Sequence, residues 1–245
     1  MRNIFLLLIV VLSVAFAEIT AKDILTKIDS YRGLTKKFSM DIVLSDYKQE
    51  EQKKRLKTII GLQVYVKDNH SSFIKYTRPP RDKGKVMLMV DENIWFYQKK
   101  LRKPLRISQR QRFLGGTSNA DIARANFSGD YIPKLKSEET INDKKLITLE
   151  LNAKDNKVAY GKIILWVSKK DYKPYKGEFY ALSGKLLKTA FYKSFTEHPS
   201  GEKISEIEIF DAVIKNNVTT IKYSNYSKKS VPDYYFNPDY LPRMK

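Results

Sequence analysis

The chain has 245 residues, a formal net charge of +19, two histidines and no cysteine. Without cysteine there are no disulfides, no thiolate chemistry and no acylated lipoprotein N-terminus. The charge excess is mostly lysine scattered along the chain, the pattern of a solvated surface that resists edge-to-edge pairing, and not the arginine forks of a phosphate reader.

Residues 1–17, MRNIFLLLIVVLSVAFA, run from Arg2 through an apolar stretch at Ile4 to Val14 and end on Ala15-Phe16-Ala17. This is the order of a secretory signal with an A-x-A cleavage site. The stretch is shorter than the ~20 residues of a spanning helix; an uncleaved anchor is the alternative. Cleavage leaves a mature domain of residues 18–245, exported and most simply periplasmic, with a charge of about +18. Export also separates it from most nucleic acid. All-β domains reach this size undivided, and neither a repeat nor a linker-like block interrupts the chain.

TAKDILTKIDSYRG opens the mature chain. Thr20 and Asp23 have capping-box spacing, Ile24, Leu25, Ile28 and Tyr31 recur at helical spacing, and Gly33 is placed to stop the helix. Strands follow. Phe38, Met40, Ile42 and Leu44 alternate with polar residues, as do Leu56, Thr58, Ile60, Leu62, Val64 and Val66; period two over such lengths predicts long antiparallel strands. SSFIKYT stops at Pro79-Pro80, and GKVMLMVDENIWFYQKK is a hairpin turning at Asp91-Glu92-Asn93. Six more strands follow: KLITLELNAK, YGKIILWVSK, YKGEFYALSG, LLKTAFYKSFTE, EKISEIEIFDAV and VTTIKYSNYS. Turns fall at Asp155-Asn156, Asp171-Tyr172, Ser183-Gly184, Ser200-Gly201 and Asn216-Asn217. Between the two halves, Ser118 and Asp121 form a second capping-box pattern, for a short helix with Ile122 and Ala125 inward. Ten or eleven strands joined by hairpins make a meander that must curl or close to manage its edges.

The central hairpin is unusual. VMLMV and IWFY are apolar on both faces, so both faces there are covered. A cavity lined by one face and an ordinary packed core are both compatible with that composition. IWFY runs directly into the basic QKKLRKPLR. Aromatics interleaved with basic residues also suit single-stranded nucleic acid, but export and the scattered lysines argue against that use.

The order of signal, helix, long strands and GKVMLMVDENIWFYQKKLRKPLRISQRQRFLGGTSNADI resembles the outer-membrane lipoprotein-sorting (LolA-like) family, closest to a branch associated with lipid exporters. Gly84, Trp95, Tyr97, Arg102, Arg106, Ile107, Phe113, Gly115 and Asp121 carry the mid-chain motif; Phe236, Tyr240 and Leu241 match the ending. Gly116-Thr117-Ser118-Asn119 departs from relatives with an acidic residue after the Gly-Ser step, and the basic run is richer than the motif requires. The resemblance implies a mainly β, single-domain, incomplete antiparallel barrel of about eleven strands wrapped over helices, whose hydrophobic cavity shields acyl chains in transit.

On that reading the chain is a periplasmic carrier of lipoprotein acyl chains or free lipid. Its partners are an inner-membrane exporter, an outer-membrane acceptor and, transiently, a membrane surface. No nucleic acid, cofactor or metal is involved. A lined cavity offsets about 0.8 kcal/mol per methylene otherwise left in water. Candidate lining residues are Phe38, Met40, Ile42, Leu62, Val64, Met87, Met89, Trp95, Tyr97, Trp166 and Phe179; which parity faces inward is open. Phe113 to Phe127 is a candidate lid, with Phe113, Leu114, Gly115, Asp121 and Ile122 as its key residues; a surface Ω-loop around a structural helix is the alternative. Lys99, Lys100, Arg102, Lys103 and Arg106 form a basic rim. A lipid- or lipoprotein-sensing regulatory module of the same fold is the competing function. An enzyme is disfavoured: His70 and His198 lie in turns without ligand or nucleophile spacing.

Overall fold

A computed structural model describes residues 19–33, 37–51, 53–124 and 127–244. The expected signal segment and Ala125 lie outside the described residues. Helix α1 (Ala21–Arg32) carries the predicted Thr20/Asp23 capping box and buries Ile24, Leu25, Ile28 and Tyr31. Five strands follow: β1 (Phe38–Glu50), β2 (Lys53–Asp68), β3 (Ser71–Arg78), β4 (Val86–Val90) and β5 (Asn93–Tyr97). Short β6 (Leu105–Ile107), β7 (Arg112–Leu114) and β8 (Thr117–Ser118) lead into α2 (Asn119–Ala123). The second arm is β9 (Tyr131–Ile141), β10 (Lys144–Ala153), β11 (Lys162–Ser168), β12 (Pro174–Tyr180), β13 (Leu186–Thr196), β14 (Lys203–Asp211) and β15 (Asn217–Ser227).

Among the described residues, thirteen strands form one antiparallel sheet in the order β6-β5-β4-β3-β2-β1-β15-β14-β13-β12-β11-β10-β9. Each arm is a meander. The arms join where β1 meets β15, with Leu44 opposite Ile221 and Ile42 opposite Tyr223. Thirteen exceeds the expected eleven by the two edge strands, β6 and β9. Neither shows the alternation that marks a half-buried strand. β6 has three residues, and β9 carries Pro133 and a run of exposed charged residues. Short, proline-bearing and charged edges are how sheets avoid pairing with another chain.

The sheet is open but strongly curled. Ser72 on β3 donates to the Ala123 carbonyl of α2 (2.8 Å), while Lys188 on β13 pairs with Asp121 of the same helix. Five strand spacings of about 4.8 Å would hold β3 and β13 roughly 24 Å apart in a flat sheet, whereas a five-residue helix is only about 7.5 Å long. One short helix therefore spans both arms only because the sheet wraps around it. At the rim, Lys157 and Glu92 join the two arms (2.7 Å).

Candidate functional site

The inner face of the curl is a single apolar cluster. Phe38, Met40, Ile42, Leu62, Val64, Met87, Met89 and Phe179 belong to it, together with Ile24, Leu25 and Ile28 from α1 and Ile122 from α2. The chain's own segments occupy the concavity: two spaces beneath α1 and α2 measure about 20 Å³ each, room for a water and not for an acyl chain.

Three of the residues expected to line a cavity lie on the other face. Trp95 and Tyr97 share the outward parity of β5 and join a second cluster with Phe73, Val86 and Leu88. The C-terminal tail covers it, through the 3₁₀ turns Asp233–Phe236 and Pro238–Arg243. Leu241 is fully buried there, and the Tyr235 ring meets Phe73 edge-on at 5.2 Å. Trp166 also faces outward: its indole donates to Glu139 (2.8 Å) and Lys176 lies over its ring (4.3 Å). Within a strand, neighbours point to opposite faces, so Ile94 takes the inner face and Trp95 cannot.

Residues 108–124 and 127–130 cross the concave side and are pinned to both arms. Phe113 and Leu114 pack on the inner cluster half-buried, and Ile122 is 2% exposed. Gly115 adopts φ +52°, and a Cβ there would collide with Thr219 Oγ1 and the Asp46 carboxylate. Both the left-handed backbone and the close approach require glycine. Gly116 N–H donates to Thr219 Oγ1 (3.0 Å), and the Thr219 and Asn217 side chains donate to Asp46 (3.1 and 3.0 Å).

The α2 capping box does more than end a helix. The Asp121 carboxylate accepts from Ser118 N–H (2.7 Å), from the Tyr160 hydroxyl (2.8 Å) and from the Lys188 ammonium. Lys188 is 2% exposed. Burial lowers its pKa against the opposing pull of Asp121, and burial raises Tyr160 far above the usual phenol range. Nearby, Asp29 of α1 accepts the N–H groups of Phe127 and Ser128 (2.7 and 2.9 Å). Burial raises the Asp29 pKa, although both N–H groups oppose it. The Arg32 guanidinium stacks 4.0 Å over the Phe127 ring, and Arg124 pairs with Asp130 (3.1 Å). Asp121 carried the family motif, but Lys188, Tyr160, Asp29 and Arg32 were not singled out from the sequence. Lys188 left one signal: it holds the same strand parity as Ala190 and Tyr192, a lysine where β13 turns inward.

Two larger concavities open at opposite ends of the strands. One, of about 380 Å³, lies beside Tyr160 and Lys188 and is rimmed by Arg110 and Arg112. The other, of about 560 Å³, lies among the β9–β10, β11–β12 and β13 ends and is rimmed by lysines. The basic group Lys99, Lys100, Arg102, Lys103 and Arg106 is exposed around the β5–β6 connection and lines neither. Among the described residues, no group of three or more His, Cys, Asp and Glu side chains is arranged to hold a metal, and no helix is long and apolar enough to cross a membrane.

An open curled sheet wrapped over two helices, with a crossing segment pinned into its apolar concavity, defines a class of small-domain binding folds. A crystal structure of a LolA superfamily protein from Nitrosomonas europaea is 34% identical to this chain, covers 91% of it and all of the other, and superposes with a TM-score of 0.83. The chain belongs to the LolA superfamily. A family profile described as "Uncharacterized protein" matches residues 68–243. A DUF1329 family protein from Desulfovibrio piger is 20% identical over 90% of this chain and 97% of the other (TM-score 0.75). A putative outer membrane lipoprotein-sorting protein domain from Vibrio parahaemolyticus is 18% identical over 91% and 98% (TM-score 0.72). These two share the fold. No curated protein matches by sequence.

Proposed function

We propose that this protein is a non-enzymatic acyl-chain carrier of the bacterial envelope, exported by cleavage after Ala17, with its binding surface closed by the segment from Ser108 to Asp130. The cargo is lipid or lipoprotein acyl chain, received from an inner-membrane exporter and handed to an outer-membrane acceptor. The exposed group Lys99, Lys100, Arg102, Lys103 and Arg106 serves contact with an anionic membrane or acidic partner. One observation carries the reading: the apolar inner face is closed by a short segment that polar pins hold, chiefly Asp121 to Lys188. Buried ion pairs are weak contributors to net stability but specify one arrangement, which suits a cover that must seat accurately and lift off. When it lifts, Phe38, Met40, Ile42, Leu62, Val64, Met87, Met89 and Phe179 become the wall, and the methionines suit chains of differing shape.

The test is mass spectrometry of lipid extracted from the purified protein, with exchange of a neutral pyrene-labelled diacylglycerol. Copurified lipid and saturable exchange are expected, and Asp121→Asn should speed uptake by loosening the cover. No lipid and no exchange in either protein would overturn the carrier reading.

A further inference from the structure

We propose that the concavity at the β9–β13 end of the sheet is a subsite for the phosphate headgroup of an anionic lipid; this rests on the carrier reading above. Six lysines from three separate stretches converge on its 560 Å³: Lys144 and Lys145 at the start of β10, Lys169, Lys170 and Lys173 around the β11–β12 turn, and Lys193 on β13. One carboxylate, Asp171, lines it. Ion pairs on the sheet include Lys54 with Glu208 and Lys136 with Glu150 across strands, and Lys176 with Glu178 along β12. Here Lys169 pairs with Glu138, and Lys173 with Glu202 and Asp171. Among the described residues, Lys144, Lys145, Lys170 and Lys193 have no carboxylate partner within ion-pair distance. A concave site with several ammonium groups and one carboxylate favours an anionic group.

The floor of the concavity excludes a purely ionic use. It is made by Leu146, Pro174, Tyr175, Tyr192 and Phe195. Lys144 lies over the Tyr175 ring (4.8 Å) and Lys173 over the Phe195 ring (5.3 Å), which keeps both ammonium groups at the lip. Tyr192 belongs to the inner apolar cluster and Phe195 packs on it. The Phe195 ring also meets Tyr31 of α1 at 5.7 Å. The lysine rim is therefore continuous, through aromatic rings, with the surface that would hold the tails. A headgroup at the rim and chains running inward satisfy both ends of one molecule. The diacylglyceryl junction of a lipoprotein carries no phosphate and would leave the rim unmatched, so the arrangement favours a phospholipid cargo.

The test is titration of the purified protein at low salt with dihexanoylphosphatidylglycerol, dihexanoylphosphatidylcholine and inorganic phosphate. The anionic lipid should bind about tenfold or more tightly than the zwitterionic one, since each lysine near an anionic headgroup contributes about fivefold. Lys145→Gln/Lys170→Gln/Lys193→Gln should remove that preference and leave phosphatidylcholine affinity unchanged. Lys53→Gln/Lys83→Gln/Lys215→Gln, the same charge change on exposed residues at the opposite end of the strands, should retain it. Equal affinity for the two lipids, or an equal loss in both triple variants, overturns the subsite. Inorganic phosphate binding as tightly as phosphatidylglycerol also overturns it, by showing a free-anion site. Exchange of the neutral pyrene probe without headgroup preference would sink this inference and leave the carrier reading standing; absence of all acyl binding would sink both.

Discussion

Strands β3 to β5 are apolar on both faces, and each face is covered by a segment of the same chain in a different way. The outer cover is the C-terminal tail. It inserts Leu241 among Phe73, Val86 and Leu88, and stacks Tyr234, Tyr235 and Tyr240 on one another at 4.5–5.6 Å. Its ion pairs, Lys37 and Lys67 with Asp233, are solvent-exposed and weak. The inner cover is the segment from Ser108 to Asp130. It also buries apolar residues, but its attachments are largely polar: the Asp121–Lys188 pair to β13, Ser72 of β3 to the Ala123 carbonyl, Gly116 N–H to Thr219, and two backbone groups held by Asp29 of α1. Apolar burial alone makes a cover that belongs to the core. Buried polar pins add geometric demand at little net gain, the property the proposed reading asks of a cover that opens.

The comparison breaks most sharply at Lys188. Lys188→Ala leaves the half-buried Asp121 without its cation, though with its Ser118 and Tyr160 hydrogen bonds, and should cost about 3 kcal/mol in urea unfolding. Restoring packing without charge, in Asp121→Asn/Lys188→Met, should recover most of that loss. If the double variant is no better than the single one, the pair is a stabiliser and the distinction between covers fails. On the outer face, Leu241→Ala removes a fully buried side chain and should cost about 2–4 kcal/mol. It should leave acyl-probe exchange unchanged, because the cluster it opens is not the proposed binding wall. Faster exchange in Leu241→Ala would mean that the two covers are coupled.

The smallest effect concerns acid. The Asp211 carboxylate accepts from Val213 and Ile214 N–H (2.8 and 2.9 Å) and pairs with Arg112, at the base of the crossing segment. Burial alone would raise its pKa, but the guanidinium and the two N–H groups outweigh it and hold the carboxyl below its ordinary value. A lowered native pKa contributes stability that is present above the unfolded value, near 3.9, and is lost as pH falls through the native one. Asp211→Asn should therefore cost about 1 kcal/mol at neutral pH and flatten the acid limb of stability below about pH 4. An unchanged acid limb would remove Asp211 from the set of anchors.

The strands that could be read from the pattern were those with one wet and one dry face, together with the apolar hairpin β4–β5 marked by its turn residues. Burial of one face imposes period two on most of them, and all eleven expected strands are present. β6 and β9 escaped because edge strands are selected to look unlike strands: Pro133, exposed Lys134 and Lys136, and three-residue brevity protect the edge and erase its signal. Both capping boxes were legible, since a cap is satisfied within four residues. The candidate site was legible only in part. Phe38, Met40, Ile42, Leu62, Val64, Met87, Met89 and Phe179 share the inner cluster, whereas Trp95, Tyr97 and Trp166 face away.

Alternation, caps and turn residues are written locally, and they sufficed for the strand content, the two helices, the meander and the resemblance to the LolA-like family. Facing is different in kind. A strand with apolar residues at both parities offers two equivalent ways to turn, and the choice depends on what arrives to cover each side. Here α1 and α2 claimed the parity of Met87, Met89 and Ile94, and the C-terminal tail claimed that of Leu88, Trp95 and Tyr97. The Asp121–Lys188 pin joins residues 67 positions apart. It exists only because the curled sheet brings β13 to the helix that β3 also touches, a closure that no local pattern encodes.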